Sequence, residues 1–361
     1  MPNEDRAARY HRLRRWSVSL AVGARGCLLL GVCGTGLSFI GQSTPLFAPL
    51  ATAIQAGFAG FLLCLATELA AVPFMWHAEF SLEHRFGLSR ESLMEWCCDH
   101  AGATGLELMN WFAAAGAISV LLANWPRLWW LVATTAFFAV GVFRASLLPF
   151  AFRTQPLRLQ SLRTRLAALA RLAGTPVIGI DEWHLGNRSD VANAAVVGLG
   201  PSRRILVSDT LIEDYSDDEI EVVIAHELGH QVHRDVWQTI AYETLVVGIA
   251  LCFADTLVLA SGIGQTAGSL NVMGLSTVAL IIGTVRVVLS PAGKWLSRWH
   301  ERRADAYALA LTGNQGAFIS GLRRLAALHL AEHRPPWLIE WLFYSHPPLA
   351  TRLARAQSQN A

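Results

Sequence analysis

The sequence predicts a mainly α-helical polytopic membrane protein with about six transmembrane helices and a small polar α+β domain. Its 361 residues are 53% hydrophobic and only 16% charged, whereas soluble domains carry about 25% charged residues. Several stretches of roughly 20 residues nearly lack ionisable groups, which is the length that crosses about 30 Å of hydrocarbon. One polar segment between these stretches alternates short strand and helix patterns. Together these observations make the lipid bilayer an expected partner.

Six apolar stretches are predicted as membrane spans. They cover residues 17–40, 46–74, 105–123, 128–150, 239–263 and 272–290. The first could be read as a signal peptide, but its apolar run is longer than a typical signal core. The spans divide the chain into an N-terminal membrane region with a polar loop at 75–104, a catalytic segment, a transmembrane hairpin and a C-terminal catalytic segment. These four parts cover residues 1–151, 152–237, 238–292 and 293–361.

The distribution of arginine predicts the orientation of the spans. Arginines concentrate in the N-terminus and in the segments after spans four and six, and the other three connections hold only Arg127. Because basic loops remain in the cytoplasm, we expect both termini and both large polar segments to be cytoplasmic. Lys294 is the only lysine, a codon bias typical of a GC-rich genome, which favours a bacterial inner membrane. The net charge of +2 and the lack of a basic tract give no indication of nucleic-acid binding.

The polar segment before span five predicts a small domain. Apolar residues recur at helical spacing over 157–173, and the segments 176–181, 192–199 and 203–209 have the composition of short strands bounded by turn residues. Ser216 and Glu219 have the spacing of a capping box. A helix is therefore expected to begin at Ser216.

This helix contains the motif His226-Glu227-Leu228-Gly229-His230. Histidines four residues apart lie one turn apart on the same face, so both imidazoles can reach one metal ion. Glu227 points about 100° around the axis and can take a proton from water without being a ligand. Zinc with an open coordination position lowers the pKa of water there to about 7. The motif also arises by chance on amphipathic helices, so the third ligand matters.

A second predicted helix supplies the best third ligand. Glu301 can complete a two-histidine, one-glutamate site, and Asp305, one turn later, can orient a ligand histidine. An alternative is that these two carboxylates lie on the surface and pair with Arg298 and Arg302. His233 is a weaker candidate ligand, because the extended three-histidine motif fails: residue 236 is valine.

Three segments, HELGH, ERRADAYA and SHPPLATRL, occur in this order, the first two separated by two predicted spans. They resemble the membrane zinc metalloproteases that include the CAAX prenyl endopeptidases and the heat-shock protease HtpX. The loop at 80–100 is similar to the prenyl-endopeptidase branch, and the stretch ERRADAYALALTGN is closer to the HtpX branch. Relative to eukaryotic prenyl endopeptidases, the chain is shorter and has one predicted span fewer before the catalytic segment.

The resemblance implies a zincin-like catalytic domain, one zinc per chain and a set of site residues. The implied ligands are His226, His230 and Glu301, with Glu227 as the general base. His346 would stabilise the tetrahedral intermediate and Arg352 would support the site. Asn193 would belong to an edge strand, continuing through Ala194 and Ala195, that pairs with an extended polypeptide substrate.

Several ionisable residues fall inside the predicted spans: Arg25, Glu68, Arg144, Glu243, Asp255 and Arg286. Each costs roughly 2.5–3.5 kcal/mol at the bilayer centre on insertion scales. Their number favours a polar interior, although Arg25 and Arg286 could also extend to an interface.

The leading functional hypothesis is a zinc endopeptidase that hydrolyses membrane-associated or misfolded proteins at the cytoplasmic face. Two alternatives are CAAX-type processing of a lipidated substrate and a catalytically silent membrane scaffold with a relic metal site. The presence of Glu227 argues against the silent scaffold, since such a protein has no use for the base. The sequence does not indicate the oligomeric state.

Overall fold

The computed structural model of the protein describes residues 5–35, 48–150, 154–183, 193–261, 265–266, 269–328 and 330–358. Among these residues, six helices are long and apolar enough to cross a membrane, which confirms the predicted fold class. The predicted span boundaries at 40, 46 and 263 lie outside the described residues.

The helices and strands are numbered in chain order. The helices are α1 (Arg6–Thr35), α2 (Ala48–Met75), α3 (Leu82–Arg85), α4 (Leu93–Asn124), α5 (Trp129–Leu147), α6 (Gln160–Leu172), α7 (Asp209–Asp214), α8 (Asp217–Val232), α9 (Asp235–Ser261), α10 (Val272–Thr312), α11 (Gln315–Leu328), α12 (Trp337–Phe343) and α13 (Leu349–Ser358). The strands are β1 (Thr154–Pro156), β2 (Gly179–Trp183), β3 (Ala194–Val197), β4 (Arg204–Ser208), β5 (Gln265–Thr266) and β6 (Ser269–Leu270).

Most of the stretch 75–104, predicted as a polar loop, is helical. A π-helical turn at Trp76–Ser81 continues α2 into α3. Helix α4 begins at Leu93, well before the apolar run, because Ser92 and Glu95 form a capping box. Hydropathy marks the part of a helix that crosses the membrane and does not mark where the helix begins.

Span six and the second metal-site helix, predicted as separate, form the single 41-residue helix α10. The helix continues through the buried Pro291 and ends at Gly313, whose φ of 63° is favourable for glycine. At 1.5 Å per residue it is about 60 Å long. It therefore carries Glu301 and Asp305 on a rigid extension of a membrane helix.

A four-stranded sheet with the order β1-β2-β4-β3 forms the polar domain. Strands β2 and β4 are parallel, and the outer strands β1 and β3 pair antiparallel to them. In this sheet β3 is an edge strand, paired in the register Ala194↔Val207. The predicted strand at 176–181 is shifted to Gly179–Trp183, and β1 was not predicted because three residues are too few to show alternation.

The polar domain has one core that joins both catalytic segments. Side chains from α6, the sheet and α8 pack with side chains from α11 and α13. Leu162, Ile205, Ile224 and Leu228 are fully buried there. Because α8 is central to this core, its opposite face is held in a fixed orientation toward α10.

Inside the membrane region, ionisable residues from different predicted spans contact each other. Arg25 Nη2 lies 2.8 Å from Glu68 Oε2, and Glu68 is only 8% exposed. Arg286 Nη2 lies 2.6 Å from Glu243 Oε2 on an exposed face. Both arginines are thus paired with a carboxylate of a neighbouring membrane helix.

Candidate metal centre

Helix α8 presents the two histidines of the predicted motif. Its first turn is closed by the predicted capping box, in which Glu219 N donates to Ser216 Oγ at 3.3 Å and Ser216 N donates to Glu219 Oε2 at 3.0 Å. Ile220, Ile224 and Leu228 bury one face of the helix in the core. The other face turns toward α10.

Three candidate ligand atoms converge between α8 and α10. His226 Nε2 lies 3.2 Å from His230 Nε2 and 3.4 Å from Glu301 Oε2, and His230 Nε2 lies 3.6 Å from Glu301 Oε1. Donor atoms at 2.0–2.1 Å from a tetrahedral zinc ion lie about 3.3 Å apart. The spacing of these atoms therefore fits zinc, and the set of two imidazoles and one carboxylate leaves one coordination position open.

Asp305 and Arg352 support the first histidine from behind. Asp305 Oδ1 lies 3.0 Å from His226 Nδ1, although the two atoms are not aligned for a hydrogen bond. Arg352 donates to both oxygens of Asp305, at 2.8 and 2.6 Å. This bidentate contact brings α13 against the site.

The second histidine is held by a residue that the sequence analysis missed. His230 Nδ1 lies 2.8 Å from Oδ2 of Asp235, which is 4% exposed. Arg303 donates to the other oxygen of Asp235 and lies 3.5 Å from the centre of the Trp299 ring. The available signal was an aspartate five residues after the second histidine. Helical spacing could not place this aspartate, because the helix is interrupted before it.

The alternatives raised for the third ligand do not match the structure. Within the described residues, neither Glu301 nor Asp305 forms an ion pair with Arg298 or Arg302, since Arg298 donates to the carbonyl oxygens of Glu340 and Tyr344 at 2.9 and 2.6 Å. His233 Nδ1 lies 2.8 Å from the carbonyl oxygen of Gly229 on its own helix.

The late SHPP segment returns to the metal site. His346 Nε2 lies 3.3 Å from Glu301 Oε1, and its side chain is 63% exposed toward the opening. Ser345 Oγ is 3.0 Å from His346 Nδ1. Pro347 and Pro348 are buried, so the backbone that follows the histidine is fixed.

A cavity of about 470 Å³ opens beside these groups. Its polar wall includes Glu227 and Arg352 as well as the ligand candidates His226 and Glu301, and Asn193 and Ala194 lie at the edge-strand side. Ala195, predicted with them, does not line it. The remaining wall is largely apolar and includes Leu211, Val222, Val223, Phe318, Leu322 and Leu325.

The pKa values of two side chains on α8 are shifted, as is typical of a site where protons are transferred. Burial raises the pKa of Glu227, an effect that the neighbouring histidines partly offset. Burial lowers the pKa of His226, but the contacts with Asp305 and Glu301 outweigh it and raise the pKa to about 10. Both shifts refer to the site without a metal ion.

Two family models match the chain. A model of the family described as Peptidase family M48 matches residues 156–360. A model described as the CAAX prenyl protease N-terminal region, five membrane helices, matches residues 8–157, where the described part of this chain has four helices that could span a membrane.

Curated relatives and a solved structure are similar over most of the chain. "Uncharacterized metalloprotease YhfN" of Bacillus subtilis is 24% identical, covering 83% of this chain and 72% of its own. CAAX prenyl protease 1 of Saccharomyces cerevisiae is 25% identical, covering 82% and 70%. Protease HtpX of Stenotrophomonas maltophilia is 30% identical over 56% of this chain and 74% of its own.

The crystal structure of S. mikatae Ste24p shares the fold, with a TM-score of 0.72 at 23% identity over 90% of this chain and 79% of that chain. The family match covers more than half of the chain. The chain belongs to peptidase family M48 and is a membrane metalloprotease of that family.

Proposed function

We propose that this metalloprotease is a zinc endopeptidase that cleaves membrane-associated or misfolded proteins at the cytoplasmic face of a bacterial inner membrane. The observation that carries the proposal is the convergence of two imidazoles and one carboxylate beside a cavity that Glu227 lines. One zinc ion, held by His226, His230 and Glu301, would supply a Lewis acid that polarises the peptide carbonyl and makes water acidic.

In this mechanism Glu227 is the general base. Burial raises its pKa, which makes the carboxylate a stronger proton acceptor near neutral pH. It takes a proton from the attacking water and passes it to the leaving amine. Its position one residue after His226 keeps it beside the metal site without making it a ligand.

His346 and Arg352 have different roles in the proposal. His346, near Glu301 and exposed toward the cavity, donates a hydrogen bond to the oxyanion that develops on the substrate carbonyl. Arg352 holds Asp305 from both oxygens, and so fixes the side chain that backs His226. Arg352 is therefore a positioning residue.

The substrate is proposed to bind as an extended strand. Among the described residues, β3 is an edge strand with no further strand paired to its outer side, and Asn193 and Ala194 lead from it to the cavity. Asn193 N and O both bond to Ser208 of β4, so main-chain pairing with the substrate falls to Ala194, whose N–H and C=O face outward in the antiparallel strand. Such pairing provides affinity with little side-chain selectivity. This suits a protease that acts on many unfolded polypeptides.

CAAX-type processing of a lipidated substrate is the second candidate. It is supported by the match of residues 8–157 to the CAAX prenyl protease N-terminal family and by the similarity to the yeast enzyme of that name. The two candidates share the metal site and differ only in what binds beside it.

The test uses purified protein in lipid vesicles with two substrates, an unfolded soluble polypeptide and a farnesylated peptide that ends in a CAAX motif. We expect cleavage of the unfolded polypeptide that a zinc chelator stops and added zinc restores. Cleavage of the lipidated peptide alone would favour the second candidate. Cleavage that is insensitive to the chelator would contradict both.

A further inference from the structure

Helix α12 presents an apolar face that no described part of the chain covers. Trp337 is 76% exposed, Leu338 46%, Trp341 45% and Phe343 42%, and the helix has no buried residue. Contiguous exposed aromatic and aliphatic side chains of this kind mark an interaction surface. Trp337, Leu338 and Trp341 lie within one turn of each other and thus form one stripe.

The position of α12 along α10 indicates what this stripe contacts. Arg298 on α10 is 4% exposed and donates to the carbonyl oxygens of Glu340 and Tyr344, which fastens the end of α12 to that point of the helix. Trp295 and Trp299 flank Arg298 on α10 and are 54% and 36% exposed. The end of α12 is therefore at the same level as these two tryptophans.

An exposed apolar stripe connects this level to the membrane span. Val288, Trp295 and Trp299 are exposed at intervals of seven and four residues, so they share one face of α10. Trp237, near the start of the neighbouring α9, is 42% exposed. Tryptophans at the ends of two membrane helices are typical of the headgroup layer.

The charges near the stripe fit the same layer. His333 and Arg334, just before α12, are exposed, and Lys294 lies one residue before Trp295. The nearby carboxylates Glu332 and Glu340 are engaged by Arg15 and Arg298. The exposed charge beside the apolar stripe is thus positive, as in segments that contact anionic headgroups.

We propose that α12 is an interfacial helix that inserts Trp337, Leu338 and Trp341 into the headgroup layer of the bilayer, on the side that carries the catalytic segments. The partner is the lipid surface, with anionic headgroups beside Arg334 and Lys294. An amphipathic helix that lies in the plane of the interface buries its apolar face about 5–10 Å deep.

The proposal has a consequence for the metal site, and this consequence rests on the proposed function. Tyr344 follows α12 and precedes His346 by two residues, and Arg298 holds its carbonyl. Insertion of α12 therefore fixes the height of His346 above the bilayer and places the cavity beside the membrane surface. Polypeptide segments at the membrane surface would reach the site most readily.

The test is the local environment of a nitroxide label in lipid vesicles with anionic headgroups. Single labels are attached after Trp337→Cys or Trp341→Cys, in a chain whose six native cysteines are replaced by serine. Phe143, 63% exposed on the membrane helix α5, is the lipid control, and Leu172, 71% exposed at the end of α6, is the water control. The measurement compares collision with oxygen, which concentrates in lipid, and with a water-soluble nickel chelate.

We expect labels at 337 and 341 to favour oxygen, as at 143, and the label at 172 to favour the nickel chelate. Preference for the chelate at 337 and 341 would overturn the proposal. So would shielding from both reagents that increases with protein concentration, because a second copy would then cover the stripe.

A second measurement avoids the cysteine replacements and does not depend on proteolysis. In the otherwise native chain, Trp337 is replaced by the photoreactive aromatic p-benzoylphenylalanine and the vesicles are irradiated. Adducts with lipid support the proposal, and adducts with protein alone contradict it. If the protein lacks protease activity but forms lipid adducts, the proposed function is contradicted and this inference is still supported.

Discussion

Two carboxylates contact the two histidines of the metal site, one for each imidazole. Asp305 backs His226 and is itself held by Arg352. Asp235 backs His230 and is itself held by Arg303. Each histidine is thus oriented by a carboxylate that a half-buried arginine fixes, which sets the direction of the imidazole.

Site residues that lie within one helix are predictable from sequence, whereas the contacts between separate segments are only partly predictable. The motif at 226–230 lies within one helix, and Glu301 and Asp305 lie within another, so helical spacing relates the members of each pair. Asp235 was not predicted, because Arg234, with a φ of 58°, interrupts the helix between His230 and Asp235. No periodicity continues across such a residue.

Replacing Asp235 should weaken metal binding. We expect Asp235→Ala to lower the affinity for zinc roughly 10–100-fold, because His230 loses the group that orients it. Competition with a chelator of known affinity measures this directly. Asp217→Ala, on a carboxylate in the first turn of α8 whose side chain is 46% exposed, is the control and should bind zinc as the wild type does. Equal affinities in the two variants would remove Asp235 from the site.

His346 and Arg352 should separate by their effect on metal. His346→Ala should lower the cleavage rate about 10²–10³-fold with zinc content near that of the wild type, since it removes a donor to the developing oxyanion. Arg352→Ala should lower zinc affinity and thermal stability as well, because Asp305 would remain without its bidentate partner. Full cleavage by either variant would contradict its assigned role.

At the scale of elements, the close approach of α8 and α10 brings the ligands together. A Cβ atom added at Gly229 would lie 3.1 Å from Ala304 Cα and 3.3 Å from Tyr307. The glycine between the two histidines thus allows the backbones to approach, and the small Ala304 faces it. Sequence patterns predicted both helices, but no pattern along one helix specifies which residue of another it meets.

Widening this contact should disturb the site. Gly229→Val should destabilise the protein by about 1–3 kcal/mol through overpacking and reduce zinc content, since it moves Glu301 away from the histidines. Melting temperature and metal content measure the two effects. Gly102→Val, at a helical glycine with nothing within 4 Å of an added Cβ, is the control for the valine itself. Equal behaviour of both variants would show that the contact does not matter.

For the whole molecule, hydropathy predicted the number of membrane helices but not their extent. Apolar runs end where the bilayer ends, whereas α4 and α10 continue beyond them. The extension of α10 joins the membrane hairpin to the polar domain, so the metal site includes residues from both. The exposed apolar stripe of α12 was also not predicted. Seven residues show too little periodicity to distinguish an exposed apolar stripe from one that faces the core.

The arginine asymmetry predicts one orientation for this assembly. Reporter fusions after Arg165 and at Ala361 should report the cytoplasm, and fusions between residues 264 and 271 should report the opposite side. A C-terminal fusion on the opposite side would show that the spans were counted wrongly. The proposed site at the cytoplasmic face would then also be wrong.

The central claim is that one zinc ion bound by His226, His230 and Glu301 works with Glu227 as a base that is not a ligand. It is tested most directly by measuring zinc content and cleavage rate on the same preparation of Glu227→Gln. Glutamine keeps the size of the side chain and cannot accept the proton, so we expect about one zinc per chain, as in the wild type, and no cleavage. Cleavage at the wild-type rate, or loss of zinc together with activity, would contradict this claim.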